Sequence, residues 1–300
     1  MVSVKLIETN WQNYFWRLHI KIWIQGARPK TLPAAIAPVL VATVIAAQDW
    51  SPLRAALALF VSLALQVGVN YANDYSDGVR GTDDSRVGPI RLTATGLAKP
   101  DSVKRAAFIS FFLASLAGLA LAALSSWWII LIGVASIAAA WRYTGGKNPY
   151  GYKGLGDISV FIFFGVIATM GTYYVQTLEL NWKVFFASIP MGSLSCALLA
   201  INNLRDRLED EKVGKKTLAV RFGDKGSRIY FVALILSAYF FAFLAGQLWA
   251  ALTLLTLPIS LPLIRKVLGG ASSGALIPLL ALTGKLQILF ALTFAASLSL

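Results

Sequence analysis

Two groups of carboxylates and amides stand where the chain leaves long apolar runs. The first reads Asn70-Tyr71-Ala72-Asn73-Asp74-Tyr75-Ser76-Asp77, with Asp83 and Asp84 beyond it. The second reads Asn202-Asn203-Leu204-Arg205-Asp206-Arg207-Leu208-Glu209-Asp210. Each contains Asn-x-x-x-Asp and a further Asp one helical turn on, and residues three or four apart share a helix face. Ionisable groups at a membrane edge point to function. Four carboxylates brought together would repel and shift toward their neutral forms. Divalent cations relieve that repulsion, and Mg²⁺ favours a few carboxylates completed by phosphate oxygens and water. Asp74, Asp77, Asp206 and Asp210 are therefore the expected metal ligands and catalytic acids, holding Mg²⁺ and a diphosphate ester. Asn70, Asn73 and Asn202 add neutral ligands or hydrogen-bond donors. The plain alternative is two solvated helix ends.

Cations flank both groups: Arg80, Arg86 and Arg91 after the first, Lys215, Lys216 and Arg221 after the second. The planar fork of Arg suits phosphate oxygens, and Lys supplies a point charge. Arg86, Arg91 and Lys215 are the substrate-binding candidates here, although some of these cations serve only as membrane anchors. A third segment, Tyr143-Thr144-Gly145-Gly146-Lys147-Asn148-Pro149-Tyr150-Gly151-Tyr152-Lys153-Gly154-Leu155-Gly156-Asp157, offers three tyrosines and two lysines. It suits an aromatic substrate beside a diphosphate, with Tyr143 and Lys153 as substrate-binding candidates and Lys147 as a catalytic candidate. Interfacial belts also place tyrosine at such positions.

The elements that must carry these residues are transmembrane helices. Of 300 residues 57% are hydrophobic and 14% charged, with mean hydropathy +0.67, too apolar for a soluble domain. Apolar stretches at residues 30–48, 54–74, 104–125, 127–144, 157–177, 183–203, 228–246, 248–264 and 276–298 predict an all-α, multi-pass bundle. About nine helices would surround a cavity open to the cytoplasmic side. Junctions at 125–127 and 246–248 predict tight hairpins.

A net charge of +13 raises the possibility of a nucleic-acid partner, but its distribution argues against one. With the N-terminus cytoplasmic, all of the 27 Lys and Arg except Arg54, Lys183 and Lys285 fall on that side. This is the positive-inside bias, and it puts both acidic groups at the cytoplasmic face of a cell membrane. The bilayer is the expected partner; the oligomeric state is not legible.

Residues 1–25 form a separate region, an amphipathic segment lying on the interface. Trp11, Phe15, Leu18 and Ile22 recur at helical spacing against Asn13, Arg17 and Lys21. Residues 26–300 form one transmembrane domain. Cys196 is the single cysteine and His19 the single histidine, which excludes an intrachain disulfide and a multi-histidine metal site. Lys285 lies roughly 13 Å into the last span and should face the cavity or snorkel to the interface.

Four stretches resemble the UbiA superfamily of intramembrane aromatic prenyltransferases. They are Ala27-Arg28-Pro29-Lys30-Thr31-Leu32-Pro33-Ala34-Ala35; Asn73-Asp74-Tyr75-Ser76-Asp77-Gly78 through Gly88-Pro89-Ile90-Arg91-Leu92; Tyr152-Lys153-Gly154-Leu155-Gly156-Asp157; and Asn202-Asn203-Leu204-Arg205-Asp206 through Gly214-Lys215-Lys216-Thr217-Leu218-Ala219-Val220-Arg221. The likeness runs from about residue 26 to the last span and is greatest to the branch acting on 1,4-dihydroxy-2-naphthoate. It implies a nine-helix fold, with Asn70, Asp74, Asp77, Asp206 and Asp210 at a Mg²⁺–diphosphate site. Tyr143 and Lys147 are similar to a Tyr-x-x-x-Lys element whose lysine contacts diphosphate. Gly81 stands where many relatives carry a third Asp, leaving Asp83 as a substitute.

The implied reaction joins a polyprenyl group to the naphthoate, releasing diphosphate and CO₂. Acceptors such as 4-hydroxybenzoate and homogentisate stay open. Asp74-x-x-Asp77-Gly78 also resembles part of a CDP-alcohol phosphotransferase motif, but the Ala-Arg that continues that motif is missing. A transporter would place its acids nearer the midplane than one membrane edge.

Overall fold

The computed structural model describes residues 20–82, 88 and 90–300. It contains helices and no strand among those residues. A short helix, α1 (residues 20–27), and a 3₁₀ turn at Pro29–Thr31 lead through a 55° bend into α2 (Pro33–Ile45). There follow α3 (Pro52–Val79), α4 (Pro100–Leu124), α5 (Ile129–Arg142), α6 (Gly156–Thr177) and α7 (Trp182–Lys212). The chain ends with α8 (Leu218–Gly246), α9 (Leu257–Leu268) and α10 (Leu276–Leu298). Each apolar stretch thus becomes one helix, α2 to α10. Six segments are long and apolar enough to cross a bilayer, or seven with the bent α1–α2 pair; α8 and α9 share one 51-residue segment. Of the predicted interfacial segment, residues 1–19 lie outside the described residues, and the remainder is helical.

The helices carrying the acids outrun their apolar stretches. α3 continues to Val79 rather than 74, and α7 to Lys212 rather than 203. Hydropathy marks where lipid contact ends, whereas the backbone ladder continues while side chains find partners. The second acid of each group consequently stays on a helix. The stretch expected as span 248–264 begins differently, as 3₁₀ turns over Gln247–Thr256. There Thr253 and Thr256 donate to carbonyls three residues back, which favours the tighter winding.

α7 is the central post. Of its most apolar window 78% is buried, against 17% for α3, so α3 forms a wall rather than a core. Met191, Leu194, Ala197 and Ile201 of α7 pack with Phe231 and Ile235 of α8 and with Phe290 and Phe294 of α10. A second group joins Tyr71 and Ala72 of α3 to Val103, Ala107 and Phe111 of α4. Lipid tails are as apolar as these side chains, so close fit rather than water exclusion holds the helices together. Gly165, in a π-helical turn of α6 (Phe161–Ile167), shows how close: a Cβ there would lie 2.5 Å from the Gly192 Cα of α7.

Candidate active site

A cavity of about 940 Å³ runs between the helices, bordered by residues of α2 to α7 and of α10. On α3 its wall extends from Ala58 to Asp77, nineteen positions or roughly 28 Å of helix. Its far end is apolar, with Leu121, Ile129 and Val175 in the wall; its near end holds Asp77, Asp210 and Lys215.

The two acidic groups meet at Lys215. Its Nζ lies 3.3 Å from Asp77 Oδ2 and 3.9 Å from Asp210 Oδ1, linking acids 133 positions apart in the chain. The same ammonium sits 4.6 Å from the centre of the Tyr152 ring, a favourable cation–π placement. Tyr152 donates from its hydroxyl to Asp77 Oδ1 at 2.6 Å. Burial first, then the Asp77 charge, push the Tyr152 phenol above its ordinary pKa, which keeps it a proton-bearing donor. Arg80 lies over the other part of this cluster, 5.4 Å from the Tyr152 ring centre, and donates to the Thr144 and Gly146 carbonyls.

The inner acids are engaged elsewhere. Asp74 is fully buried, and its oxygens accept the backbone N–H groups of Leu92 and Thr93, each at 2.9 Å. The chain between α3 and α4 is thereby clamped onto α3. Gly78 lets it approach, since a Cβ there would fall 2.5 Å from Thr93 Cβ. Asp206 accepts Nε and Nη2 of Arg205, both at 2.7 Å, as a buried bidentate pair. Neither inner acid borders the cavity.

Four converging carboxylates were the expectation, and the arrangement differs. Two acids meet across a lysine, and two are turned onto protein donors. No cluster of three or more His, Cys, Asp or Glu able to hold a metal occurs among the described residues. Asp77 and Asp210 nonetheless face one cation position, with Asn73 and Asn202 in the same wall. That oxygen donor set suits Mg²⁺ completed by phosphate.

Asn73, Asn202, Arg91 and Tyr143 border the cavity. Asn73 Oδ1 accepts the Thr144 hydroxyl at 2.7 Å, and Asn202 Oδ1 accepts Arg205 Nη2 at 2.8 Å. Asn70 also borders it, but its amide donates to the Ala27 carbonyl at 2.9 Å and to Thr31 Oγ1 at 3.1 Å.

Lys147 and Lys153 are exposed, and neither borders the cavity. α5 ends at Arg142 and Gly146 takes a left-handed φ of 78°. The four-residue spacing from Tyr143 to Lys147 therefore does not correspond to a shared helix face. Lys285 is exposed and also away from the cavity, which leaves the snorkelling alternative. Cys196 is buried, with Sγ 3.2 Å from the Asp157 carbonyl. Arg86, Asp83 and Asp84 lie outside the described residues.

Sequence reasoning missed Arg28, Gln66 and Arg205 as cavity residues, and it left Tyr152 out of the site. Gln66 carried a signal, being an amide inside an apolar run one turn before Asn70. Arg205 stood within the second motif.

The UbiA prenyltransferase family model matches residues 35–275. The 1,4-dihydroxy-2-naphthoate octaprenyltransferase of Mycobacterium tuberculosis is 46% identical over 281 residues, covering 92% of this chain and 96% of that protein. The protein of the same name from Escherichia coli is 39% identical, over 91% and 93%. Among solved structures, a UbiA homolog from Archaeoglobus fulgidus bound to GPP and Mg²⁺ has a TM-score of 0.62 at 17% identity, over 93% and 99%. The apo UbiA homolog from Aeropyrum pernix K1 has a TM-score of 0.67 at 14% identity, over 89% and 97%. Helix order, a cavity with one acidic end and these matches agree: the chain belongs to the UbiA prenyltransferase family.

Proposed function

We propose that this enzyme transfers a polyprenyl group from polyprenyl diphosphate to 1,4-dihydroxy-2-naphthoate, releasing diphosphate and CO₂, as a step of menaquinone biosynthesis. The observation that carries the reading is the meeting of Asp77 and Asp210 at Lys215, at one end of an otherwise apolar cavity. A polar end suits a diphosphate and an apolar length suits its tail. The names of relatives up to 46% identical over nearly the whole chain supply the acceptor.

Asp77 and Asp210, with Asn73 and Asn202, would hold Mg²⁺. Bound there, the ion supplies charge neutralisation to the departing diphosphate. Lys215 adds a positive charge at the same place, and Tyr152 holds Asp77 in orientation. Asp74 and Asp206 act as positioning acids, the first fixing the chain after α3 and the second fixing Arg205. The apolar wall excludes water from an allylic cation, which would otherwise be hydrolysed. The electron-rich ring attacks that cation at the carbon bearing the carboxylate. The C–O bond of the donor breaks, the new C–C bond forms, and the carboxylate leaves as CO₂. The charge asymmetry of the loops supports a cytoplasmic position for the acidic end.

The test is a membrane-fraction assay with the naphthoate, prenyl diphosphates of several lengths and Mg²⁺, with and without EDTA. A Mg²⁺-dependent product whose mass equals acceptor plus prenyl group minus CO₂ supports the reading. Retention of the carboxylate, or faster turnover of 4-hydroxybenzoate, overturns the assigned acceptor.

A further inference from the structure

The last three helices hold more cations than acids to meet them. After Asp224 the chain contains Lys225, Arg228, Arg265, Lys266 and Lys285 but no further Asp or Glu. Asp224 is itself committed, accepting Nε and Nη2 of Arg228 at 2.7 and 2.9 Å. Arg228 also donates to the Val267 carbonyl, which fixes the end of α9 to α8. Lys266, one residue earlier, and Lys285 on α10 are both exposed. Neither borders the active-site cavity.

A shallow groove runs from the end of α9 onto α10. Lys266, Gly269 and Gly270 line one end of it, and Pro278, Leu279 and Leu282 of α10 line the other. Gly270 takes φ 90°, and a Cβ there would meet no atom of the described residues within 4 Å, so the polar end is open. Pro278, Leu282 and Lys285 stand at i, i+4 and i+7, one stripe of a helix. Lys285 therefore continues the groove inward. It lies nine residues past Leu276, roughly 13 Å into α10, where an ammonium facing hydrocarbon is costly. Cα–Cβ bonds tilt toward a helix N-terminus, so its stem starts back toward the turn of Leu282 and can snorkel along the groove.

We propose that this groove binds one anionic phospholipid of the bilayer, with its phosphate between the ammonium groups of Lys266 and Lys285. One acyl chain lies along Pro278, Leu279 and Leu282. Charge and polarity both select this occupant. The lining is cationic at one end and apolar at the other, the order of a lipid lying along a span, and basic pockets between transmembrane helices take anionic headgroups. A soluble anion would leave the apolar stripe unused. A second copy meeting this face through its own equivalent face would bring further cations and no acid. The site stands apart from the cavity and does not depend on the reaction assigned to it.

Purified, delipidated enzyme in neutral detergent is titrated with dioleoyl phosphatidylglycerol and with dioleoyl phosphatidylcholine, and native mass spectrometry reads the bound lipid. The wild type binds the anionic lipid about tenfold or more tighter than the neutral one. K266Q and K285M each weaken phosphatidylglycerol binding about fivefold and leave phosphatidylcholine binding unchanged. K225Q, which removes an exposed cation outside the groove, changes neither. Equal affinity of the wild type for the two lipids overturns the proposal, as does undiminished binding by K266Q and K285M. K225Q weakening binding as much as the groove variants also overturns it, reducing the effect to diffuse surface charge. So does displacement of the lipid by glycerol phosphate, since the acyl stripe would then contribute nothing. A wild-type dimer that K285M dissociates assigns the face to a second copy instead. If K285M does not fold, K266Q and the comparison of the two lipids still decide.

Discussion

The two Asn-x-x-x-Asp motifs, one on α3 and one on α7, read alike but neutralise their inner acids differently. Asp74 takes two neutral backbone donors from Leu92 and Thr93, whereas Asp206 takes a charged fork from its own neighbour Arg205. The first arrangement ties a connecting segment to a helix; the second satisfies one buried charge with another. Their outer acids, by contrast, converge on Lys215. Similar spacing therefore encodes a division of labour, with inner acids holding the frame and outer acids facing the cavity.

That division leads to graded expectations. Asp77→Asn and Asp210→Asn should have the largest effect on rate, lowering kcat about 10²- to 10³-fold, the usual loss when one preorganised electrostatic group is removed. A steady-state assay at saturating substrates and varied Mg²⁺ reads this. Equal losses in both variants support a shared site, and a loss in only one breaks the symmetry of the outer acids.

Next comes stability. Asp206→Asn leaves the Arg205 guanidinium buried without its counter-charge and should cost about 3–5 kcal/mol. Asp74→Asn leaves neutral donors short of one acceptor and should cost about 1–3 kcal/mol. Denaturation in detergent ranks the two, and the reverse order would contradict the contrast drawn here. A double variant, Arg205→Met with Asp206→Leu, should recover most of the stability lost by Asp206→Asn, because removing both charges removes the unpaired one.

Tyr152→Phe deletes one hydrogen bond to Asp77 while keeping the ring over Lys215, so a loss of about tenfold or less in kcat/KM follows. Because burial and Asp77 raise the Tyr152 phenol, the neutral donor persists up to and beyond the ordinary tyrosine pKa. Wild type and Tyr152→Phe should therefore show the same rate dependence between neutral pH and that value. A fall confined to the wild type would locate an ionising tyrosine at the site. Lys147→Ala, on an exposed loop away from the cavity, should change activity least, by less than about twofold.

The membrane class and the approximate number of helices were legible because each depends on local composition. Long apolar runs must be helical where no water can satisfy the backbone, and acids at their ends stand out against that background. Asp77, Asp210 and Lys215, which the fold brings together at one end of the cavity, stood out in the sequence for the same reason. The exposed position of Lys147 was not legible, because the Tyr-x-x-x-Lys spacing does not lie on a helix past Arg142. Arg28 stayed hidden because it resembles any cation at a membrane edge until its surroundings are known.

Composition and spacing by themselves determined that α3 and α7 would carry paired acids to the same face of a helical bundle. Only tertiary structure decided which acids meet, since that depends on how α3, α7 and the Tyr143–Asp157 connection close around one point. A carboxylate has the same formula whether an amide, a guanidinium or a metal neutralises it. Its role is set by the donors that folding brings within hydrogen-bond reach.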